Sequence, residues 1–484
     1  MDISLQKRIS ARHRAVLAGL GVLGCCVFAS LTLADVSSAA VPTGIDCAKT
    51  DGKISGRGST YQTVLQADLI AAYNSDFCGV TEAQYVGDPA GSTMLAYNYA
   101  AAEAAGATGS GAGLKAASCR TDAFWGTDNP YTGKELKEID GAPGAYGGSA
   151  CSLTFAPPFT PQAKENKFPN PEDVEAPLMS FPIGGSSVAV IVNFGTACTK
   201  TPSTLQLTPK EVSRLFGGDV ATWADSEVAA NNPSLATDGC TGAVTRVVRQ
   251  DKSGTTTIFK QYMIRSENER TGATCAPGNK WEAYFGTNTE WPGKQKVGEE
   301  GTCSTITTAA KSGNPELIAK LKETQGGIGY ADLPQAVGNG FVIATVENAT
   351  KTGYQSPITG KSANCTYSSV SLPGSGASGA VGLDTTEPKA LNWANDATPN
   401  EENVTDRGGK YPICGLTWDL VYTGLSANSG SAIAKLTADQ RRTLYSYFTF
   451  VLSSTAQNVL STIDYAPLPS AWLQLLREGF QENF

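Results

Sequence analysis

Nine consecutive residues, Arg249-Gln250-Asp251-Lys252-Ser253-Gly254-Thr255-Thr256-Thr257, combine a guanidinium, a carboxylate, four hydroxyls and a glycine. The β-branched run Val244 to Val248 before them predicts a strand. Ile258, Phe259 and Tyr262 after them share one helical face. Ser253, Gly254 and Thr255 therefore stand where a strand turns into a helix N-terminus, with free amide N–H groups and a partial positive charge. Such a terminus can hold an oxyanion. Gly254 permits close backbone approach, Ser253 and Thr255 add hydroxyl donors, and Arg249 adds a fork of charged donors. Asp251 should repel an anion unless the anion carries a proton to donate, as phosphate does near neutral pH and sulfate does not. The plainer alternative is an ordinary capped helix with Arg249 and Asp251 paired on the surface.

Other stretches share this design. Lys53 to Tyr61 predicts a short strand and a glycine-rich turn, Gly56-Arg57-Gly58-Ser59-Thr60, before a helical pattern from Gln62 to Ser75. Gln84 to Gly87 is strand-like, and Gly91-Ser92 opens another helix. Ala100 to Ala117 is Ala/Gly-rich and predicts a flexible insertion. Phe124 to Thr127 is a strand end, and Asp128 follows it in a turn. Val188 to Val192 has the apolar β-branched signature of a buried strand. Thr208, Pro209 and Glu211 spell a capping box ahead of a helix that ends at Gly217-Gly218. Gly326 to Tyr330 and Gly415 to Tyr422 predict two more strands. Thr437 with Gln440 predicts a helix from Ala438 to about Ser461. Thr271 to Thr305 is a polar excursion, and Ala349 to Lys410 is mostly loop. Alternating strands and helices make an α/β architecture with mostly parallel sheets. Ligands bind there at the carboxyl ends of strands, where these turns fall.

The chain has 484 residues, enough for two or three domains, and a net charge of −8. The first 40 residues carry Lys7, Arg8, Arg12 and Arg14 against Asp2 and Asp35, so the remainder carries −10. An acidic surface of that kind argues against nucleic acid as a partner. The lone histidine is His13. Without it no Ser-His-Asp or Cys-His catalysis and no histidine-bearing metal site can be built. No metal or cofactor is implied. Basic residues, an apolar run from Ala15 to Ala34 and Ser38-Ala39-Ala40 form an export signal. Cleavage after Ala40, a retained anchor and lipidation at Cys25 are the readings, in that order. Beyond this segment lie Cys47, Cys78, Cys119, Cys151, Cys198, Cys240, Cys275, Cys303, Cys365 and Cys414. Ten cysteines without CxxC spacing read as disulfides in an oxidising compartment. Pairing of neighbours along the chain is expected.

These units, in this order, resemble the phosphate-binding protein of the bacterial phosphate-specific ABC transporter. The resemblance runs from about Ile54 to Phe484. Ile54 to Tyr61 looks like that family's first phosphate loop, and Phe124-Trp125-Gly126-Thr127-Asp128 like its segment ending in a ligand aspartate. Phe181-Pro182-Ile183-Gly184-Gly185 resembles a crossover between lobes. Leu215 to Gly218 with Thr222-Trp223, Ile328-Gly329-Tyr330 and Tyr465 to Pro469 extend the match. Arg249 to Thr255 is its most specific part.

The resemblance implies a two-lobed periplasmic binding protein fold of type II, with two hinge crossings and a ligand cleft between lobes. Residues 41–183 with 411–484 would form lobe I, and 184–410 lobe II. Thr60 and Tyr61 would give donors, and Asp128 would accept the phosphate proton. Arg249, Ser253, Gly254 and Thr255 would bind oxygens, with Asp251 pairing Arg249. The family's serine from the second turn is assigned to Ser92. The implied function is capture of inorganic phosphate by an exported, monomeric protein that hands it to a membrane permease. The rival readings are a secreted phosphatase and a surface protein that scavenges phosphate on the same fold.

Overall fold

A computed structural model describes residues 54–78, 95–97, 109–119, 122–128, 178–267, 291, 308–367, 404–422 and 438–483. The export segment, Ser92, the strand-like Gln84 to Gly87 and most of the polar excursion at 271–305 lie outside these residues.

The backbone is organised by one long strand. Among the described residues, nine strands form the main sheet: β1 (Ile54–Gly58), β2 (Leu95–Tyr97), β3 (Phe124–Thr127), β4 (Leu178–Asn193), β5 (Thr245–Arg249), β6 (Thr308–Lys311), β7 (Gly327–Asp332), β8 (Val342–Ile343) and β9 (Cys414–Tyr422). Their order is β2-β1-β3-β9-β4-β7-β5-β6, with β8 also on β4. Strand β4 contains the β-branched run read from the sequence and is buried from Ser180 to Val192. Its first part pairs with β9 as far as Ser187↔Cys414. From Val188↔Asp332 onward it pairs antiparallel with β7. The same strand thus serves two sheet halves in turn. Pairs β1–β2 and β1–β3 on one side, and β5–β6 and β5–β7 on the other, are parallel. The centre, β3–β9–β4–β7, is antiparallel. The expectation of mostly parallel sheets therefore holds only for the flanks. The central strands are apolar and mostly buried, so their direction leaves no mark on their pattern.

Helices pack where their apolar faces dictate. α1 (Thr63–Cys78) follows a 3-10 turn, Thr60–Gln62, and buries Leu65, Leu69 and Tyr73. α2 (Ser110–Cys119) occupies the stretch expected to be a flexible insertion. Its glycines are there for packing: a Cβ on Gly113 would lie 2.2 Å from the Gly126 carbonyl oxygen, so the helix can sit directly on β3. α3 (Pro209–Gly217) starts with both hydrogen bonds of the Thr208/Glu211 capping box and ends at left-handed Gly218. α4 (Gly254–Glu267) and α5 (Gly313–Glu323) follow β5 and β6. On this side Phe259 stacks on Tyr330 at 4.6 Å, and Phe216 meets both rings edge-on. On the other side Phe124, Phe181, Tyr447, Phe448 and Phe480 form an aromatic core. The C-terminal helix expected to run to Ser461 is two helices, α6 (Ala438–Val451) and α7 (Ser454–Leu460). Ser453 caps the second by accepting from Ala456 N–H, a local bond that competes with helix continuation. α8 (Ser470–Asn483) closes the chain.

Two disulfides follow neighbour pairing: Cys198–Cys240 and Cys365–Cys414. The second closes a 49-residue span and lies beside Ser187, where β4 changes partner. Replacing both Cys365 and Cys414 with Ala should lower stability by about 2–4 kcal/mol. Chemical denaturation of the full chain, read by tryptophan fluorescence, checks this; an unchanged midpoint would contradict it.

Candidate functional site

Four strand ends and three helix starts meet at one buried cluster. Asp128 follows β3 and is fully buried. Its Oδ2 accepts from Ser59 Oγ and, at 3.1 Å, from Ser110 Oγ. Its Oδ1 accepts from Thr417 Oγ1 at 2.6 Å. Ser59 ends the β1 turn, Ser110 begins α2, and Thr417 lies on β9. Ser110 Oγ also accepts from Gly254 N–H at 3.1 Å, which ties Asp128 to the first turn of α4. Gly254 is required there: a Cβ would sit 2.5 Å from both Asp128 Cβ and Ser110 Oγ.

Arg249 ends β5 and is buried as well. Its Nε donates to Asp251 Oδ1 at 2.6 Å and its Nη2 to Oδ2, a bidentate pair. Nη1 donates to Asn314 Oδ1 at 2.8 Å. The pairing of Arg249 with Asp251 that an ordinary surface turn would show is thus present, but in the interior. A buried pair of this kind must have its remaining donors and acceptors satisfied. Gly313 N–H, at the start of α5, donates to Asp251 Oδ1 at 3.1 Å. Asn314 Nδ2 donates to Asp332 Oδ1 at the end of β7. Tyr330, fixed by its stack on Phe259, accepts from Arg249 N–H at 3.3 Å and bonds Thr256 Oγ1 at 2.7 Å. The strand end and the helix start of the nine-residue stretch are thereby locked to each other.

Thr60 joins the two groups. Its Oγ1 accepts from Asn314 N–H at 3.5 Å, and its carbonyl accepts from Gln335 Nε2 at 2.7 Å. Asp128, Thr60 and Arg249 accordingly lie on one continuous set of contacts running through Ser59, Asn314 and Ser110. Ser253 Oγ caps α4 by accepting from Thr256 N–H at 3.2 Å. Thr255 Oγ1 is buried and finds no hydrogen-bond partner among the described residues. An orphaned hydroxyl at a helix start is what an incoming anion would engage. Tyr61 is buried with its ring edge-on to Tyr465, and its N–H donates to Ser59 Oγ at 3.0 Å. The amides of Tyr61 and Gly254, expected to face a ligand, therefore bind hydroxyls of the Asp128 shell.

Ser110, Asn314, Ser59 and Thr417 belong to this buried cluster and were not among the candidate ligands read from the sequence. Ser110 had a signal, since Gly109-Ser110-Gly111 at the start of α2 is a glycine-flanked serine of the kind read at Gly91-Ser92. Its Ala-rich setting disguised the helix. Asn314 and Thr417 carry no local pattern and are brought in by the sheet.

Burial sets the protonation states. It raises Asp128 to about 6 against the hydroxyl donors from Ser59, Thr417 and Ser110, which pull it down. Asp332 is pushed well above the carboxylate range by burial and then by Asp128. Asp419, behind the site on β9, is raised by burial to about 8, with Gln66 donating to its Oδ2 at 2.9 Å.

The profile of the PBP superfamily domain matches residues 48–430. The chain belongs to the PBP superfamily. Among characterised relatives, it is 25% identical over 228 residues to the phosphate-binding protein PstS of Xylella fastidiosa, covering 46% of this chain and 53% of that one. It is 27% identical over 230 residues to PstS of Methanocaldococcus jannaschii, with the same shares. The matched region thus spans about half the length of these relatives. Among solved structures, the periplasmic phosphate-binding protein PfluDING superposes with a TM-score of 0.52 at 18% identity, covering 88% of this chain and 93% of that one. The phosphate-binding protein of Stenotrophomonas maltophilia gives 0.51 at 18%, with the same coverage. These likenesses establish the two-lobed α/β binding-protein fold.

The raised carboxyls of this superfamily member make its stability depend on pH. An unfolded chain releases the Asp419 proton near 3.8, whereas the folded chain holds it to about 8. The folded state binds more protons in that window, so stability falls as pH rises through it, by about 1.4 kcal/mol per pH unit for one such group. Asp419→Asn should flatten the loss between pH 5 and 8, while Asp128 and Asp332 keep their share. Denaturant midpoints at the two pH values check this; an identical loss in both proteins would contradict it.

Proposed function

We propose that this protein is an exported solute-binding protein that captures one inorganic phosphate and delivers it to an ABC-transporter permease. The observation that carries the reading is the buried cluster itself. A buried guanidinium, held by Asp251 and by Asn314 at the start of α5, and a buried carboxylate, tied to the start of α4 through Ser110, belong to one set of contacts with contributions from both sheet halves. Thr60, Arg249, Ser253 and Thr255 supply donors for phosphate oxygens, while Ser110 spends its hydroxyl hydrogen on Asp128. Asp128 accepts the proton that phosphate carries. Asp251 holds Arg249 in place and balances its charge. The names of the relatives and of the structural neighbours support phosphate as the ligand.

In this reading residues 41–183 and 411–484 form lobe I, and 184–410 lobe II. The exchange of β4 from β9 to β7 between Ser187 and Val188 supports that boundary. The protein acts as a monomer that binds and releases its ligand without chemistry. Residues 1–40 direct export, and the disulfides fit an oxidising compartment.

Calorimetry of the disulfide-intact chain tests the proposal. Phosphate should bind at least about 100-fold more tightly than sulfate at pH 8, because sulfate leaves Asp128 facing an oxygen with no hydrogen between them. Equal affinity would refute the acceptor role. Arg249→Lys should weaken phosphate binding by about tenfold or more, since a lysine cannot bridge Asp251 and Asn314 while still contacting the ligand.

A further inference from the structure

The selection of a protonated anion reaches beyond the residues that line the cluster. We infer that Gln62 and Thr417 are positioning residues that fix Asp128 as a hydrogen-bond acceptor and so set the specificity of the site for an anion bearing a proton. This rests on the phosphate reading above and names residues that the reading does not.

The argument is one of hydrogen-bond polarity. A backbone carbonyl can only accept, and a backbone N–H can only donate. The Trp418 carbonyl accepts from the side-chain nitrogen of Gln62 at 2.8 Å, so the amide end of Gln62 must face it. The same Nε2 donates its second hydrogen to Thr417 Oγ1 at 2.8 Å. Thr417 then turns its own hydrogen away from Gln62, toward Asp128 Oδ1 at 2.6 Å. Gln62 is held in this pose from behind: its Oε1 accepts from Gln66 Nε2 at 3.1 Å, and Gln66 Oε1 accepts from Tyr447 Oη at 2.5 Å. The other two hydroxyls on Asp128 are set by backbone in the same way. Ser59 Oγ accepts from Tyr61 N–H at 3.0 Å, so its hydrogen goes to Asp128. Ser110 Oγ accepts from Asp128 N–H at 2.9 Å and from Gly254 N–H at 3.1 Å, which uses its lone pairs. All three hydroxyls consequently donate to Asp128, and three donors favour the ionised carboxylate.

Ser59 and Ser110 accept from main-chain N–H groups, which no side-chain substitution removes. Thr417 is the member whose direction depends on another side chain. Gln62 is well placed to set that direction, being fully buried and within reach of Thr417 Oγ1 and the Trp418 carbonyl at once. Among the described residues, the other charged or titratable groups facing Asp128 are Arg249 from β5, Asp332 from β7, Asp419 from β9, Tyr61 from the 3-10 turn, and Tyr465. Of these only Arg249 favours its charge, so the hydroxyl donors carry much of the opposition to burial.

The test titrates the full disulfide-intact chain with inorganic phosphate and with sulfate from pH 5 to 8.5. Thr417→Val removes the donor, Gln62→Met removes what aims it, and Thr417→Ser keeps both. In the unsubstituted chain phosphate affinity should fall as pH drops through about 6, where Asp128 takes up its proton. In Thr417→Val and Gln62→Met that fall should begin about one pH unit higher, and the phosphate-over-sulfate ratio should drop about tenfold. Thr417→Ser should restore both. Phosphate binding with an unchanged acid limb and an unchanged ratio in either Val or Met variant overturns this proposal alone. Failure of the unsubstituted chain to prefer phosphate overturns the phosphate reading, and this proposal with it. Should Thr417→Val fail to fold, Gln62→Met carries the same two readouts.

Discussion

Keeping a carboxylate charged where water has been removed is costly, and the arrangement around Asp128 is best understood as the answer to that cost. Burial alone would hold the group neutral. Three hydroxyl donors and the nearby Arg249 oppose it and bring the group to about 6, so that it is ionised at neutral pH. A neutral Asp128 could donate to any oxyanion. An ionised one accepts, and therefore favours an anion that brings its own hydrogen. On the proposed reading, the choice between phosphate and sulfate is thus a question of where one proton sits.

That requirement explains why parts distant in sequence converge. Donors must come from directions that one loop cannot supply. The parallel flanks of the sheet place the ends of β1, β3, β5 and β7 and the starts of α2, α4 and α5 around one point. The antiparallel centre lets β4 run through both halves, and Thr417 reaches Asp128 from β9, the strand that pairs with the first part of β4. Among the described residues, Arg249 is the cation that faces this cluster of carboxylates, and Asp251 and Asn314 hold all three of its nitrogens. A guanidinium held this way is pre-aimed, and little ordering remains to be done when a ligand arrives.

Much of this was legible in the sequence wherever the information is local. The strand–turn–helix around Arg249 and Ser253, the Thr208/Glu211 capping box and the buried strand at Val188 to Val192 all follow from short-range chemistry. Asp128 reads locally only as a residue in a turn after a strand, and the resemblance singled it out. What escaped is what depends on the sheet. Asn314 and Thr417 join the cluster only because β6 and β9 deliver them, and nothing in their neighbours announces it. α2 was missed for a different reason: its Ala and Gly residues look like a linker, whereas they are small because the helix lies against β3. The break at Ser453 reflects a local cap that outweighs a good helical pattern.

A crystal structure of the disulfide-intact chain grown with phosphate above pH 7 would test the central claim most directly. The account predicts one phosphate enclosed by Thr60, Arg249 and Thr255, with one of its oxygens within hydrogen-bond distance of the Asp128 carboxylate. Phosphate bound elsewhere, or held in this cluster with Asp128 turned away from it, would contradict the account.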